Sequence, residues 1–503
     1  LPPETDIVVL GFGAAGSAAA LRAAELGASV LVLEKQSRNA HTPGVRMSGG
    51  HVMGVTDVAE GSRYLAACGG PRLPANVSRV WAERAAGLVG WLDAQGTDLA
   101  LQVAYGAEHQ SLPGADGIAV YLQGRLKDGE PIDWGLRRGG SAQAQGVTPP
   151  WHPSLRAGVE LFGALEAAVA QRPQIEVRFD SAAERLVTDP GGAVSGVETT
   201  DGRRFEARHG VVLATGGYEF SGRLKDEYLK AEGIHFYGNP GNTGDGIGMA
   251  QAVGADLWHM NQMVGRAIGH FELEDGTFLN TPVVLPPGGF VFLDRHGRRF
   301  ANEQAQADAL HDFYNELVVF DFGRGNYPRI PCFWVFDSRR IGEPLVSAML
   351  GAVAVGLYDW TEDNSRELAR GWIAQGETVE AATNAAGIED PAAAAASVAA
   401  YNRSCESDGD PFGRPAASMV PLDAPPFFCV KLFPGGSNTS GGPRRDHRAR
   451  ILDPFGEPIP GLFGAGELGQ AIGRLYPAGG CNLSDAFCFG QIAVETALDG
   501  TRT

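Results

Sequence analysis

Residues Asp6 to Lys35 read DIVVLGFGAAGSAAALRAAELGASVLVLEK. An apolar run, Ile7 to Leu10, leads straight into Gly11-x-Gly13-x-x-Gly16; an alanine-rich segment follows, then a second apolar run that ends at Glu34 and Lys35. Each part has a physical task. Gly11 permits the tight turn out of the strand, Gly13 puts no side chain in the path of a pyrophosphate, and Gly16 lets the helix pack close to the sheet. The helix opening at Ala14 and Ala15 offers free N–H groups to phosphate. Glu34, with Lys35 beside it, stands where a carboxylate accepts hydrogen bonds from a ribose. A lone GxGxxG is weak evidence. The complete strand–turn–helix–strand–acid unit predicts a dinucleotide-binding fold.

The bulk numbers describe a globular protein large enough for two or more domains, with 503 residues, 44% hydrophobic and 20% charged. Its 70 glycines are about twice the usual share. They are spread through GG, GxG and GD clusters, as expected where backbone must approach a ligand closely. The net charge of −18 argues against nucleic acid or an anionic membrane as partner. The six cysteines show no CxxC and no metal-ligand spacing, which predicts reduced thiols, no metal and a cytoplasmic setting. The start, LPPETD, has no charged-then-apolar leader. The apolar stretch Leu345 to Tyr358 is broken by Ser347, Gly351 and Gly356. It is too short to span a bilayer and reads as buried or cofactor-facing.

Organisation follows from breaks in pattern. From about Ser62 to Gln95 the residues Trp81, Leu88, Trp91 and Leu92 fall at helical spacing. The Gly/Pro-rich stretch Leu112 to Pro153 reads as long irregular loops. A helix from about Leu155 to Ala170 leads into VRFD, AERLVTD, VSGVETTDG and RFEARHGVVLATGG. Their alternation predicts a small antiparallel meander that returns to the main sheet at Val211 to Leu213. From about Asn261 to Asn438 aromatics increase and a polyalanine helix covers Ala392 to Ala400; the chain then turns Gly-rich and closes with a helix from Ser484 to Leu498. The prediction is an α/β fold. Residues 1–260 and 439–503 form a Rossmann-like, parallel-sheet nucleotide domain, and 261–438 an inserted α+β capping domain.

Five further motifs appear in order: ATGG (Ala214 to Gly217), GNTGDGIGMA (Gly241 to Ala250), GRRFANE (Gly297 to Glu303), YNRSCESDGDPFGR (Tyr401 to Arg414) and PIPGLFGAGE (Pro458 to Glu467). With the N-terminal fingerprint they resemble the flavoproteins of the fumarate reductase and 3-ketosteroid dehydrogenase superfamily over nearly the full chain. The resemblance implies that the dinucleotide is FAD, held non-covalently. Ala214, Thr215, Gly216 and Gly217 would then pass the adenosine half, joined by Asp245 of the GDG motif. Gly466 and Glu467 would reach the ribityl chain, and Cys481, Asn482 and Leu483 would set a helix N-terminus on the flavin pyrimidine ring. A reduced flavin carries negative charge there, which a helix dipole stabilises. The superfamily's Gly-Gly-Ser/Asn turn reads His41-Thr42-Pro43-Gly44 in this chain, whereas Ser48-Gly49-Gly50 remains for contacts near flavin N5.

The branches of the superfamily differ in the residues that face substrate. Fumarate reductases carry an arginine acid beyond RF-x-NE and a histidine in HT-x-GG. Here those positions fall on Ala307 and on Asn438 in Asn438-Thr439-Ser440-Gly441-Gly442, and the other substrate histidine falls on or near Arg266. A dicarboxylate site needs several cations, and most of them are missing. The ketosteroid dehydrogenase branch carries a tyrosine followed by a Gly-rich loop. RLYPAGGCNLSD matches it with Tyr476 and the Gly480 N–H. Two neutral donors on one carbonyl oxygen stabilise an enolate and acidify the adjacent C–H. The branch's tyrosine after RF-x-NE is replaced by Gln306 and Ala307, and the nearest substitutes for proton transfer are His311 and Tyr314. An unperturbed histidine titrates near neutrality and a tyrosine near 10, and Tyr314 is taken ahead of His311. Tyr105, Tyr121, Trp134 and His152 are further candidates in the loop-rich region.

The sequence therefore points to an FAD-dependent enzyme moving hydride across a C–C bond beside the ketone of a steroid-like or other cyclic substrate, in either direction. Two other readings are an ene-reductase of a small unsaturated acid, with Arg266 as the anion anchor, and a non-catalytic flavin or electron carrier. The last is disfavoured because no haem CxxCH or iron–sulfur pattern is present to pass electrons on. The expected partner is a small ketone or enone. No motif identifies the external electron acceptor or donor.

Overall fold

The computed structural model describes residues 5–97, 99–123, 157–286, 288–308, 311–347, 349–406 and 409–499. Its centre is the strand Ile7–Leu10, whose four apolar residues are all buried, as a strand covered on both faces requires. It pairs in parallel with Val30–Leu33 on one side and Val211–Leu213 on the other. The full order is Arg450–Leu452, Pro458–Gly464, Val211–Leu213, Ile7–Leu10, Val30–Leu33 and Ile175–Arg178, with only the first pair antiparallel. The helix Ala14–Glu25 packs on the long helix Cys481–Asp499. The approach is so close that a Cβ on Gly490 would lie 2.6 Å from the Ala15 carbonyl oxygen. Alanine and glycine on the facing surfaces permit this spacing, and both ends of the chain share one core.

Two segments differ from expectation. VRFD does not belong to the meander. It forms Ile175–Arg178 and extends the parallel sheet, with Val177 opposite Val32. Four residues carry too little pattern to choose a partner, and the open edge of Val30–Leu33 decides. The meander itself is Ala183–Thr188, Val194–Thr199 and Arg204–Glu206. Within the stretch expected to be irregular, Ile118–Leu122 is a strand between Val52–Val55 and Gln102–Tyr105. Its run IAVYL pairs with the apolar Val52–Val55, distant in sequence, and with the nearer Gln102–Tyr105. The rest of that stretch from residue 124, with Trp134 and His152, lies outside the described residues.

The second large sheet carries the strands Phe278–Pro282, Met263–Glu272, Phe427–Thr439, Cys332–Asp337 and Phe290–Leu293, in that order. His235–Phe236 adds in parallel to Phe427–Thr439, so this sheet also takes a strand from before residue 260. Phe428, Val430 and Leu432 sit in the apolar core of the cap, while Thr439, at the far end of the same strand, reaches Glu219 beside the parallel sheet. The motifs GRRFANE and YNRSCESDGDPFGR meet in a buried ion network. Arg299 bonds Glu303 at 2.6 Å and Asp410 at 2.6 Å, and Arg414 reaches Glu303 at 3.2 Å. Within Leu345 to Tyr358, Leu345 and Val346 are buried in the cap, Leu357 is exposed, and Gly351 N donates to the Met47 carbonyl at 2.8 Å. Among the described residues no helix is long and apolar enough to cross a membrane.

Candidate active site

A cavity opens at the carboxyl ends of Ile7–Leu10, Val30–Leu33 and Val211–Leu213, beside the central strand where the order of the parallel sheet reverses. Gly11, Gly13, Ala14, Ala15, Glu34, Lys35, Ala214, Thr215, Gly216, Asp245, Gly466, Glu467, Asn482 and Leu483 line it. Gly11 has φ 100, and a Cβ there would collide with the Ala214 carbonyl. Gly16 lies behind the wall, where a Cβ would strike the Gly11 carbonyl. Gly13 is different: the nearest protein atom to an added Cβ is Pro43 Cβ at 3.8 Å, so its space faces the cavity. No side chain caps the helix that follows, which leaves its first N–H groups for phosphate.

Glu34 accepts from Phe12 N at 2.9 Å and Gln36 N at 2.8 Å. Burial opposes its charge, but His41 close beside it and hydrogen bonds from Gln36 and Phe12 outweigh it and hold the carboxyl below its usual range. An ionised acceptor is thus fixed where a ribose needs one. Lys35 bridges Asp245 at 2.6 Å and Thr243 at 2.8 Å across the rim. Together the open space at Gly13, the uncapped helix and this carboxylate fit FAD.

Gln36, Gly44, Ser181, Asn239, Gly241 and Asn242 also line the cavity. Gly241 and Asn242 stood in the GNTGDGIGMA motif, so a signal for them existed. Asn242 Nδ2 donates to Glu219 at 2.6 Å and to Glu467 at 3.2 Å. Burial pushes Glu219 up to about 7, and burial with Glu219 nearby pushes Glu467 well above its usual range. Glu219, two residues beyond ATGG, carries no sequence signal of its own. Ser48, Gly49, Gly50, Gly217 and Cys481 stand outside the lining. Gly50 N donates to Ser48 Oγ at 3.1 Å, Gly217 backs onto Glu219 and Thr439, and Cys481 is the buried first residue of the last helix.

The Ser48–Gly50 loop leads to His51 and into a second polar cluster. His51 Nδ1 meets Tyr105 Oη at 2.9 Å. The His311 ring lies 4.3 Å from the Tyr476 ring, and His311 Nδ1 meets Glu108 Oε1 at 2.7 Å. Asp312 accepts from Tyr476 N and pairs with His109 Nε2, both at 3.1 Å. Tyr476 Oη accepts from Asn482 N at 3.3 Å, and among the described residues its own proton has no acceptor. Gly480, at φ 78, presses on the His51 carbonyl, and its N–H donates to no other described residue. Burial holds Tyr476 well above the usual phenol range, with Cys481 and Glu108 adding to it. Arg266 is buried, and its side chain makes no hydrogen bond or ion pair among the described residues. Its charge is felt at His51, Tyr105, Glu108 and His311. Tyr314 lies apart, in an apolar cluster with Ile234, Phe236, Met263 and Val318. Tyr121 packs over Gly54 on the small sheet. Glu108 and His51 join the cluster with no motif to announce them.

The family described as FAD binding domain matches residues 6–483. The chain belongs to that family and is an FAD-dependent oxidoreductase of the kind that acts on CH–CH groups. Digoxin reductase of Eggerthella lenta is 26% identical to it over 97% of this chain and 86% of that protein. The 4-oxocyclohexanecarboxylate 2-dehydrogenase of Sinomonas cyclohexanicum is 28% identical, over 98% of this chain and 92% of that one. A solved 3-ketosteroid Δ1-dehydrogenase from Sterolibacterium denitrificans superposes with a TM-score of 0.78 at 22% identity, covering 99% of this chain and 100% of that one. The α/β flavoprotein fold read from the sequence is the fold observed.

Proposed function

We propose that the chain moves hydride between FAD and a C–C bond beside the ketone of a cyclic substrate, with Tyr476 and the Gly480 N–H on the ketone oxygen. One observation carries this reading. Two neutral donors on one loop, next to the cofactor cavity, have no protein acceptor among the described residues. FAD, when bound, supplies the hydride acceptor or donor. The residues of the chain polarise the carbonyl, carry the proton and exclude water. A tyrosine held above its usual range stays a neutral donor, and the N–H bond from Asn482 to its oxygen strengthens it. Each such donor is worth roughly 3 kcal/mol against a developing enolate oxygen.

His311 is the proton carrier in this reading. With Nδ1 engaged by Glu108, Nε2 is the nitrogen left to exchange a proton with the substrate carbon. Burial, then Arg266, keeps His311 well below its usual range, so it rests as a neutral base. Tyr314 is pushed up to about 12 by burial among apolar neighbours, which makes it a poor base and reverses the order drawn from sequence. The same donors serve desaturation and reduction. Two of the similar proteins are named for cyclic ketones, which supports the substrate class.

Non-covalent attachment belongs to the same proposal. His41 stacks on Phe12, its Nε2 lies 3.5 Å from Glu34 Oε2, and it is boxed by Phe162 and Phe179 at the ribose-binding end. The six cysteines are free, which supports a reducing, cytoplasmic setting. The test is an anaerobic stopped-flow screen. A saturated cyclic ketone should bleach the oxidised flavin, or a cyclic enone should reoxidise the reduced flavin. Absence of both reactions across a ring-size series overturns the reading.

A further inference from the structure

We infer that Arg266 is a carboxylate anchor, and that the substrate is an oxo acid carrying one anionic group besides its ketone. The inference rests on the ketone reading above and narrows it. Arg266 is delivered by the strand Met263–Glu272, which is pinned on both sides of it. Gly265 N donates to the His311 carbonyl at 2.8 Å. Gln306 clasps Ala267, accepting from its N–H at 2.8 Å and donating to its carbonyl at 3.2 Å. The backbone carrying this guanidinium is therefore held in place beside the proton carrier.

Among the described residues nothing holds the guanidinium itself. Arg266 is 5% exposed, its Nε is buried without an acceptor, and among the described residues it has no ion-pair partner. Glu108 is near enough to feel its charge but does not pair with it, and Glu108 Oε2 is a second buried orphan. Burial, then Asp312, pushes the Glu108 carboxyl well above its usual range, and Asp312 itself is committed to His109 and to the Tyr476 N–H. An unpaired guanidinium, beside a carboxyl that His311 already engages through its other oxygen, leaves a place for an anionic ligand in this buried site.

The charge count selects that ligand. A buried cation without a counter-ion is unfavourable, and a carboxylate fits the planar fork of a guanidinium with two parallel hydrogen bonds. A neutral steroid ketone leaves Arg266 unpaired. A dicarboxylate needs a second free cation, yet His109 is tied to Asp312 and His51 is pushed down to about 3 by burial. One ketone for Tyr476 and Gly480 and one carboxylate for Arg266 satisfy the site.

The experiment uses the FAD-bound full chain and matched pairs: 3- and 4-oxocyclohexanecarboxylate, their uncharged methyl esters, and cyclohexanecarboxylate, which lacks the ketone. Binding is read from the perturbed flavin absorbance and turnover from anaerobic bleaching. At least one acid should bind the wild type roughly 30-fold or more tighter than its ester. Arg266→Gln should weaken that acid by roughly 30-fold or more and reduce the acid-over-ester preference to near one. Arg266→Lys should retain part of the preference, and it stands in if the glutamine variant fails to retain FAD. Equal binding of every acid and its ester to the wild type, or equal loss of both on Arg266→Gln, overturns the anchor even if ketones bleach the flavin. Arg266-dependent binding of cyclohexanecarboxylate, with no ketone bleaching the oxidised flavin and no cyclic enone reoxidising the reduced flavin, upholds the anchor and overturns the ketone chemistry instead.

Discussion

At the residue scale the proposed roles divide between groups that would hold the cofactor and groups that would act on substrate. Gly13→Val places a side chain in the space that faces the cavity, and the purified variant should be colourless apoprotein. Full flavin absorbance at 450 nm, roughly, in that variant would remove the loop from the cofactor site. Tyr476→Phe should keep FAD and slow the single-turnover flavin reaction by roughly 10²- to 10³-fold, with little change in apparent affinity. A near-normal rate constant would return Tyr476 to a packing role. The proton carrier has a pH signature. Because burial and Arg266 lower His311, the acid limb of the rate profile should lie below about 6.5, and His311→Gln should abolish it. An acid limb above 7 in the wild type is incompatible with His311 as the base. Tyr476 and Gly480, proposed as the ketone donors, could be singled out in the sequence because one short motif carries both. Glu108 was not, because a lone glutamate in a loop has no signature until folding sets it against His311.

At the element scale the last helix, Cys481–Asp499, is tied to the cofactor wall by a buried pair. Arg445 and Asp485 meet at 2.6 Å with both side chains fully buried, and Arg445 also reaches the Gly466 carbonyl at 3.4 Å. Asp485 accepts from Ala471 N at 3.1 Å as well. Arg445→Met leaves a buried carboxylate without its partner, which costs about 3–5 kcal/mol. Chemical denaturation should show that loss, together with weaker FAD retention. The double change Arg445→Met with Asp485→Leu should recover much of the stability, and no recovery would mean that the pair is not the tie. Helix positions were readable from periodicity and from the alanine-rich composition. Strand membership was less so: Ile175–Arg178 and Ile118–Leu122 are short, and each pairs with a strand more than 60 residues earlier in the chain. Periodicity within a segment says that a strand can form. It does not say where.

At the scale of the whole molecule, burial of charge-bearing groups links stability to pH in two opposing senses. Burial, then His270 and Lys225, pushes His235 down to about 3. An unfolded histidine titrates near 6.5, so between these values the unfolded chain holds a proton that the folded chain lacks. The stability that His235 permits is complete above about 6.5 and falls as pH drops toward 3. Glu219, pushed up to about 7 by burial, binds its proton in the folded state first and pulls the other way. The two senses separate in a comparison. Relative to His235→Gln, the wild type should lose about 2 kcal/mol between pH 7.5 and 4.5. A gap that stays constant over that range, measured by denaturation of the FAD-bound protein, contradicts the shift.

Local sequence was enough to determine the cofactor fold. The fingerprint from Gly11 to Glu34, the ordered motifs ending at Glu467, and RLYPAGGCNLSD each act through backbone conformation within a few residues, so their meaning survives without knowledge of their neighbours. What lies between those motifs was decided only by tertiary structure. Tyr314 and His311, one helical turn apart in sequence, end in an apolar cluster and a polar one. Arg266 and Glu108 come within electrostatic reach of each other, yet neither pairs with the other. Whether a titratable group serves as base, anchor or filler depends on the charges and solvent around it, and those come from segments that only folding brings together.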